Sequence, residues 1–308
     1  MILALAGGVG GAKLANGLTA MLPPGDLSII VNVGDDFEHL GLLVCPDLDT
    51  VCYTLSGVNN KTQGWGLEGE SWAFMDALGK LGGETWFSLG DRDLATHITR
   101  KGMRDRESLS AITAHVAGKL GITHKVAPMS DDPVRSIVDT DEGELAFQHY
   151  FVRRRAEPRF RSIRFDGVEQ ARPSPAFLAA LDDPALEAII LCPSNPVLSI
   201  APILALPGIR DRLKARAVPI VAVSPFIGGK AVKGPAAKIM AEIGIATTPG
   251  GLADYYGGLL DGIVVDHADG ESPAPDVASC VTDTLMRDTA DQARLAGETV
   301  AFARSLRR

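Results

Sequence analysis

The sequence predicts an α/β fold: a Rossmann-like, doubly wound and mostly parallel sheet with an inserted, largely helical subdomain. Three observations predict it. Short continuous apolar runs end in glycine- or proline-rich turns, helical stripes alternate with those runs, and the middle third follows a different pattern. At 308 residues, 46% hydrophobic and 22% charged, the chain can bury the core of one large domain or two modest ones. That composition excludes disorder, a collagen-like rod and a disulfide scaffold.

The elements follow in order. Ile2–Ala6 is wholly apolar and ends at Gly7, and residues 12–22 then place Leu14, Leu18, Met21 and Leu22 on one helical stripe. This reads as strand, glycine turn, helix. Residues 27–33 form a second buried strand that ends in Asn32-Val33-Gly34-Asp35-Asp36. Residues 187–192, 218–224 and 262–266 repeat the pattern. In the middle, residues 108–120 carry Leu109, Ile112, Val116 and Leu120 at helical spacing. Residues 144–155 alternate like a strand pair and finish in Arg153-Arg154-Arg155, read as a solvated strand edge. The subdomain is therefore placed at residues 61–170 and the nucleotide-binding core at 1–60 and 171–308. The last segment puts Leu295, Thr299, Phe302 and Leu306 on one helix face, with Arg304, Arg307 and Arg308 complementing its C-terminus.

Charge and cysteine usage narrow the function classes. A net charge of -8 disfavours binding to a nucleic-acid backbone. No apolar run approaches the roughly 18 residues that span a bilayer, and residues 1–6 are too short and uncharged for a signal peptide. A cytoplasmic protein without membrane partners is expected. Cys45, Cys52, Cys192 and Cys280 have no C-x-x-C spacing, so free buried thiols are expected rather than a zinc or redox site. The six histidines show no ligand spacing, and there is no G-x-S-x-G elbow.

Several motifs carry chemistry, each with a plainer alternative. Gly7-Gly8-Val9-Gly10-Gly11-Ala12-Lys13 stands where glycines let a backbone approach a phosphate and where a helix N-terminus supplies amide donors; otherwise it is a tight turn. It matches neither the dinucleotide fingerprint nor a Walker A loop, which weakens a nicotinamide dehydrogenase. Asp35, Asp36, Asp47 and Asp49 fall within fifteen residues and suit magnesium with substrate phosphate, or alternatively cap turns and helices. In Leu89-Gly90-Asp91-Arg92-Asp93, Asp91 is placed to cap the helix through Leu94 and Ile98, and Arg92 to pair with Asp93. Gly228-Gly229-Lys230 with Lys233 repeats the chemistry of the first loop, so the two suggest two parts of one anionic ligand, unless the lysines are simply solvated. Trp65, Trp72 and Trp86 offer stacking surfaces or plain core.

Together with Met129-Ser130-Asp131-Asp132-Pro133, Pro193-Ser194-Asn195-Pro196, Ser199-Ile200 and Asp283-Thr284-Leu285-Met286, these blocks make the sequence similar to the 2-phospho-L-lactate transferase family across nearly the whole chain, in order. The resemblance implies a homodimer using magnesium in the biosynthesis of the deazaflavin coenzyme F-420. The reaction it implies moves a phospholactyl or related phospho-carboxylate group from lactyl-2-diphospho-5'-guanosine to 7,8-didemethyl-8-hydroxy-5-deazariboflavin, releasing GMP. It carries the deazaflavin site onto Asp49, Thr50, Ser88, Asp91 and Arg92, and the metal onto Asp35, Asp36, Asp47 and Asp49. The guanosine diphosphate falls on Gly7, Gly8, Val9, Gly10, Gly11, Lys13, Asn195, Ser199, Ser224, Gly228, Gly229, Lys230 and Lys233. Asp49, Asp35 and Lys13 are the expected catalytic groups, with Asp49 accepting the hydroxyl proton. Two departures stand out: Phe226 replaces a smaller aliphatic residue and should reshape the nucleotide pocket, and residues 267–280 match nothing in the family and read as a surface insertion. A non-catalytic nucleotide-sugar-binding regulator of the same superfamily is the alternative.

Overall fold

The computed structural model of the chain describes residues 1–272, 274 and 277–306. Seven strands make one sheet: β1 (Ile2–Ala6), β2 (Leu27–Val31), β3 (Lys125–Pro128), β4 (Ala188–Leu191), β5 (Ile220–Val223), β6 (Gly262–Asp266) and β7 (Ala278–Thr282). They lie in the order β3-β2-β1-β4-β5-β6-β7, and every neighbouring pair is parallel. β1, β2, β4, β5 and β6 are buried along their whole length, which explains why their sequences are apolar without alternation. The strand order reverses between β1 and β4. In an open parallel sheet, that is where the connections diverge and leave a crevice beyond the carboxyl ends.

The principal helices are α1 (Gly8–Met21), α2 (Pro46–Leu55), α3 (Asp93–Arg104) and α4 (Thr289–Ser305). α1 lies between α2 and α4. Its approach to α4 is set by Gly17, where a Cβ would fall 2.0 Å from the carbonyl oxygen of Gln292.

The segment 61–170 holds helices Ala73–Lys80, α3 and Leu109–Lys119, together with strands. Helix Leu109–Lys119 packs on β3, and β3 pairs with β2 from Ser28–Lys125 to Val31–Pro128. Residues 109–128 therefore belong with the core, which moves the drawn boundary. The rest of the segment includes an antiparallel sheet with Arg135–Thr140 between Gly143–Ala146 and Phe160–Asp166. The arginine run is not a strand edge: His149–Arg153 is a helical turn, and Arg155 and Ala156 take φ of 51° and 53° to turn the corner. Residues 267–280 are not simply a surface insertion, because after the short helix His267–Asp269 they supply most of edge strand β7. Residues 273, 275 and 276 of that stretch lie outside the described residues, as do Arg307 and Arg308. Arg304 pairs with Glu187 at 2.9 Å. Among the described residues no helix is long and apolar enough to cross a membrane.

Replacing Gly17 with Ala gains about 1 kcal/mol of helix propensity but drives a methyl into a carbonyl that the rest of α4 holds in place. The clash should win. We expect Gly17→Ala to lower stability by about 1–3 kcal/mol in urea unfolding, the usual cost of overpacking.

Candidate active site at the sheet switch point

The carboxyl ends of β1, β4 and β5 open on a cavity of about 630 Å³, a volume typical of small-molecule sites. Its floor is the loop between β1 and α1. Gly7 donates its N–H to Ser194 Oγ at 3.0 Å, and Gly8, at φ 62°, donates to Asp47 Oδ1 at 2.7 Å. A Cβ on Gly10 would lie 2.2 Å from the Pro193 carbonyl oxygen, and one on Gly11 would lie 2.4 Å from Ser194 Oγ. These glycines exist so that the loops after β1 and β4 can touch. Val9 and Gly10 line the cavity in the first turn of α1, where N–H groups have no intrahelical acceptor and the helix dipole favours an anion.

Two lysines face the same space. Lys13 donates to the Met286 carbonyl at 2.7 Å, and its pKa is lowered by burial and then by neighbouring Lys233. Lys233 reaches across to the Gln63 carbonyl at 3.4 Å. Asn195, Ser199 and Ser224 also line the cavity. Asn195 Oδ1 caps the turn that follows, accepting from Val197 and Leu198.

The four clustered aspartates separate. Asp47 is fully engaged: Asn32 Nδ2 donates to Oδ2 at 3.0 Å, Gly8 to Oδ1, and Ser199 adds a hydrogen bond. Asp35 is buried beside it with Oδ1 unpartnered, and burial, followed by the charge of Asp47, holds its pKa well above the usual range. Asp49 pairs with Arg100 through Oδ1, while Oδ2 is buried without a hydrogen-bond partner. Asp36 does not line this cavity. It faces a smaller one beside Arg135, and burial raises its pKa to about 7 despite Arg135 and a hydrogen bond from Cys45. The expected four-carboxylate metal set is therefore not assembled, and no group of three or more His, Cys, Asp or Glu among the described residues is placed to hold an ion.

Asp49, Thr50 and Ser88 line the cavity as anticipated, but Asp91 and Arg92 do not. Asp91 accepts from Ser71 Oγ and from the Ala73 and Phe74 amides, so it caps helix Ala73–Lys80 rather than α3. Glu70 caps α3 instead, through the Arg92 and Asp93 amides. Arg92 donates to the Glu68 carbonyl at 2.8 Å. The second glycine loop is likewise structural. Gly228 and Gly229, at φ 57° and 70°, form the two-residue turn between Phe226–Ile227 and Lys230–Ala231, and both amides are taken by Asp269. Lys230 is exposed in that ribbon, and only Lys233 of this stretch's lysines reaches the cavity. Phe226 is buried in the core, so it is Ile227 that faces the pocket.

Sequence reasoning missed much of the α2–α3 end. Tyr53, Asp93 and His97 line it, with Arg100 behind. Spacing could have found them: Asp49 and Tyr53 are four apart on α2, Asp93 and His97 four apart on α3, so each pair shares a helix face. Trp65, Trp86, Phe87, Phe147 and Phe151 complete an aromatic wall, whereas Trp72 packs against Trp65 without reaching the cavity. Trp86 meets His149 edge-on at 4.6 Å.

Comparison with known proteins places the chain in a family. The family model described as 2-phospho-L-lactate transferase CofD matches residues 2–299. A Streptomyces coelicolor protein named phosphoenolpyruvate transferase is 40% identical over 99% of both chains. A Methanosarcina mazei 2-phospho-L-lactate transferase is 41% identical over 87% of this chain and 88% of its own. A crystal structure of a UPF0052-family protein from Bacillus halodurans superposes with a TM-score of 0.61 at 15% identity, over 97% of this chain and 98% of that one, and shares the fold.

The raised pKa of Asp36 makes a pH prediction. An unfolded aspartate ionises near 3.8 but the folded one near 7, so between those values the folded state binds more protons and stability falls as pH rises. Asp36→Asn removes that loss. Urea titrations should show the variant more stable than wild type by about 4 kcal/mol at pH 7.5, with the gain gone at pH 4; an equal gain at both pH values would contradict this account.

Proposed function

The chain belongs to the CofD family of 2-phospho-L-lactate transferases, enzymes of coenzyme F-420 biosynthesis, and from that premise we propose a specific reaction for the cavity. A phospholactyl or closely related phospho-carboxylate group passes from a guanosine-diphosphate-linked donor to the terminal ribityl hydroxyl of 7,8-didemethyl-8-hydroxy-5-deazariboflavin, with release of GMP. The observation that carries this reading is the cavity's two-part lining. The α1 N-terminus with Lys13 and Lys233 suits a diphosphate, and the aromatic wall with Asp49 and Ser88 suits a tricyclic ring bearing hydroxyls.

The chemistry follows from what each group has free. The acceptor hydroxyl would attack the phosphorus bearing the carboxylate group; the bond from that phosphorus to the bridging oxygen breaks, and GMP departs with the electrons. Positioning and neutralisation of charge are then most of the work. Asp49 Oδ2, held in place by the Arg100 pair on Oδ1, accepts the hydroxyl proton. Lys13 and Lys233 balance negative charge on the diphosphate. Magnesium fits at Asp35, whose buried Oδ1 has no protein hydrogen-bond partner, whereas its neighbour Asp47 accepts from Gly8 and Asn32. One carboxylate plus phosphate oxygens and water is a usual magnesium set. When bound there, it would polarise the transferring phosphoryl oxygens.

The relatives' names divide between phosphoenolpyruvate and 2-phospholactate. Both describe a three-carbon carboxylate phosphorylated at the second carbon, and that is the group proposed here. Incubating the protein with magnesium, the deazaflavin and competing guanylylated donors, then following GMP and the product mass, tests the reaction and names the donor. Absence of GMP with every donor would refute it. Asp35→Asn should lower kcat about a hundredfold, the scale seen when one electrostatic partner of a transition state is removed. It should also raise the melting temperature, because a buried, unpaired carboxylate is eliminated. Activity and stability moving together in either direction would contradict the role given to Asp35.

A further inference from the structure

Behind Asp49 lies a buried set of side chains of which the reaction above uses only Arg100. Arg100, 3% exposed, ion-pairs with Asp49 Oδ1, donates to the Leu43 carbonyl at 3.0 Å, and lies 3.1 Å from His97 Nδ1 through Nη1. An arginine carries only N–H donors, so Nδ1 of His97 must present its lone pair, and in the neutral ring the proton sits on Nε2. Nε2 lies 3.3 Å from Asp93 Oδ2 without the alignment of a hydrogen bond, while Tyr53 donates to Asp93 Oδ1 at 2.6 Å. The same imidazole lies 3.8 Å from Asp49 Oδ2 through Nδ1. His97 is 1% exposed and thus spans the space between two cavity-lining carboxylates, fixing both the distance between them and the side on which its own proton lies.

Two carboxylates facing one cavity wall, one with an unpartnered oxygen, match an acceptor that offers more than one hydroxyl. A carboxylate accepts and never donates when ionised, so each can take a proton-bearing hydroxyl, and together they repel a phosphorylated chain. We propose that Asp93 is a second acceptor-binding carboxylate, taking a chain hydroxyl next to the one held by Asp49, and that His97, packed with Nε2 3.3 Å from Asp93 Oδ2, is a positioning residue that keeps Asp93 turned to the cavity through this polar contact. This rests on the acceptor being a polyol, as in the reaction above, and adds a residue and an orientation to it. The bonding is complete without any new covalent step, since Asp93 binds and the proton lost by the reacting hydroxyl still goes to Asp49.

The test uses three variants of the full chain. Asp93→Asn keeps the shape and removes the charge. His97→Gln restores an N–H near the Nε2 position, and His97→Leu removes it. Acceptor binding is measured by calorimetry and turnover by GMP release, with KM for each substrate determined separately. Asp93→Asn and His97→Leu should weaken acceptor binding about tenfold, the scale of one charge-assisted hydrogen bond, and leave the donor KM unchanged. His97→Gln should return acceptor binding to within about threefold of wild type. If Asp93→Asn leaves acceptor binding unchanged, or if the variants raise both KM values together, the inference is overturned and the network only supports the fold. If His97→Leu does not fold, Asp93→Asn and His97→Gln still decide. Wild-type protein that binds the acceptor but releases no GMP would defeat the reaction while leaving this subsite readable from binding alone; wild-type protein that binds no acceptor would overturn both.

Discussion

The switch-point cavity depends on one buried carboxylate. Asp47, at the start of α2, accepts from the Gly8 amide, from Asn32 at the end of β2 and from Ser199 in the turn after β4. Three chain segments that meet beyond the sheet are thereby tied at one point. The glycines around it make the closeness possible: Cβ atoms on Gly7, Gly10 and Gly11 would fall within about 2.4 Å of Asp47, Pro193 and Ser194 atoms. Burying a carboxylate is costly unless hydrogen bonds replace water, and here the replacement donors are the same groups that must be positioned. The constraint therefore sets the shape of the floor and the direction of the α1 N-terminus together.

That single tie explains how four acidic residues close in sequence take different roles. Asp47 already accepts three hydrogen bonds from the protein. Asp49, half a turn further along α2, is turned to α3 and neutralised by Arg100 on one oxygen only. Asp35 follows β2 into the cavity with no cation among the protein groups, whereas the next residue, Asp36, points to the other side of the chain toward Arg135. The two residues part at a turn, closed by the Asp36 N–H donating to the Val33 carbonyl at 3.2 Å. Partner supply, more than acidity, decides which oxygen is left for a substrate.

Much of the fold was legible because central parallel strands are buried on both faces and read as unbroken apolar runs. β1 and β6 were placed to the residue, and β2, β4 and β5 to within about two at either end. β3 and β7 were missed for the opposite reason: they are edge strands, one of only four residues beginning at exposed Lys125, the other half-exposed along Ala278–Thr282. In the site, the first glycine loop, Asp49, Thr50 and Ser88 were legible because their motifs sit at strand ends or at the start of a helix. The second glycine loop misled, since a two-residue hairpin turn with both φ positive demands the same glycines as a phosphate cradle. Asp91 misled because a side chain can cap a helix far from its own position in sequence. Tyr53, Asp93, His97 and Arg100 were not read as site residues: the four-residue spacing within α2 and within α3 puts each pair on one helix face, but that the two faces meet shows only once the helices are packed.

The electrostatics of the floor argue for the kind of ligand it takes. Lys13 is penalised by burial, and Lys233 lies close enough to disfavour its charge further. Asp35 carries the reverse imbalance, a desolvated acid next to another acid. A simple anion would relieve the lysines but aggravate Asp35, and a simple cation would do the opposite. A diphosphate accompanied by a divalent ion complements both at once, the anionic oxygens toward the ammonium groups and the helix N-terminus, the ion toward the carboxylate. The proposed guanosine-diphosphate-linked donor supplies the anionic half of that pair, which leaves the aromatic wall and the α2–α3 carboxylates for the proposed acceptor.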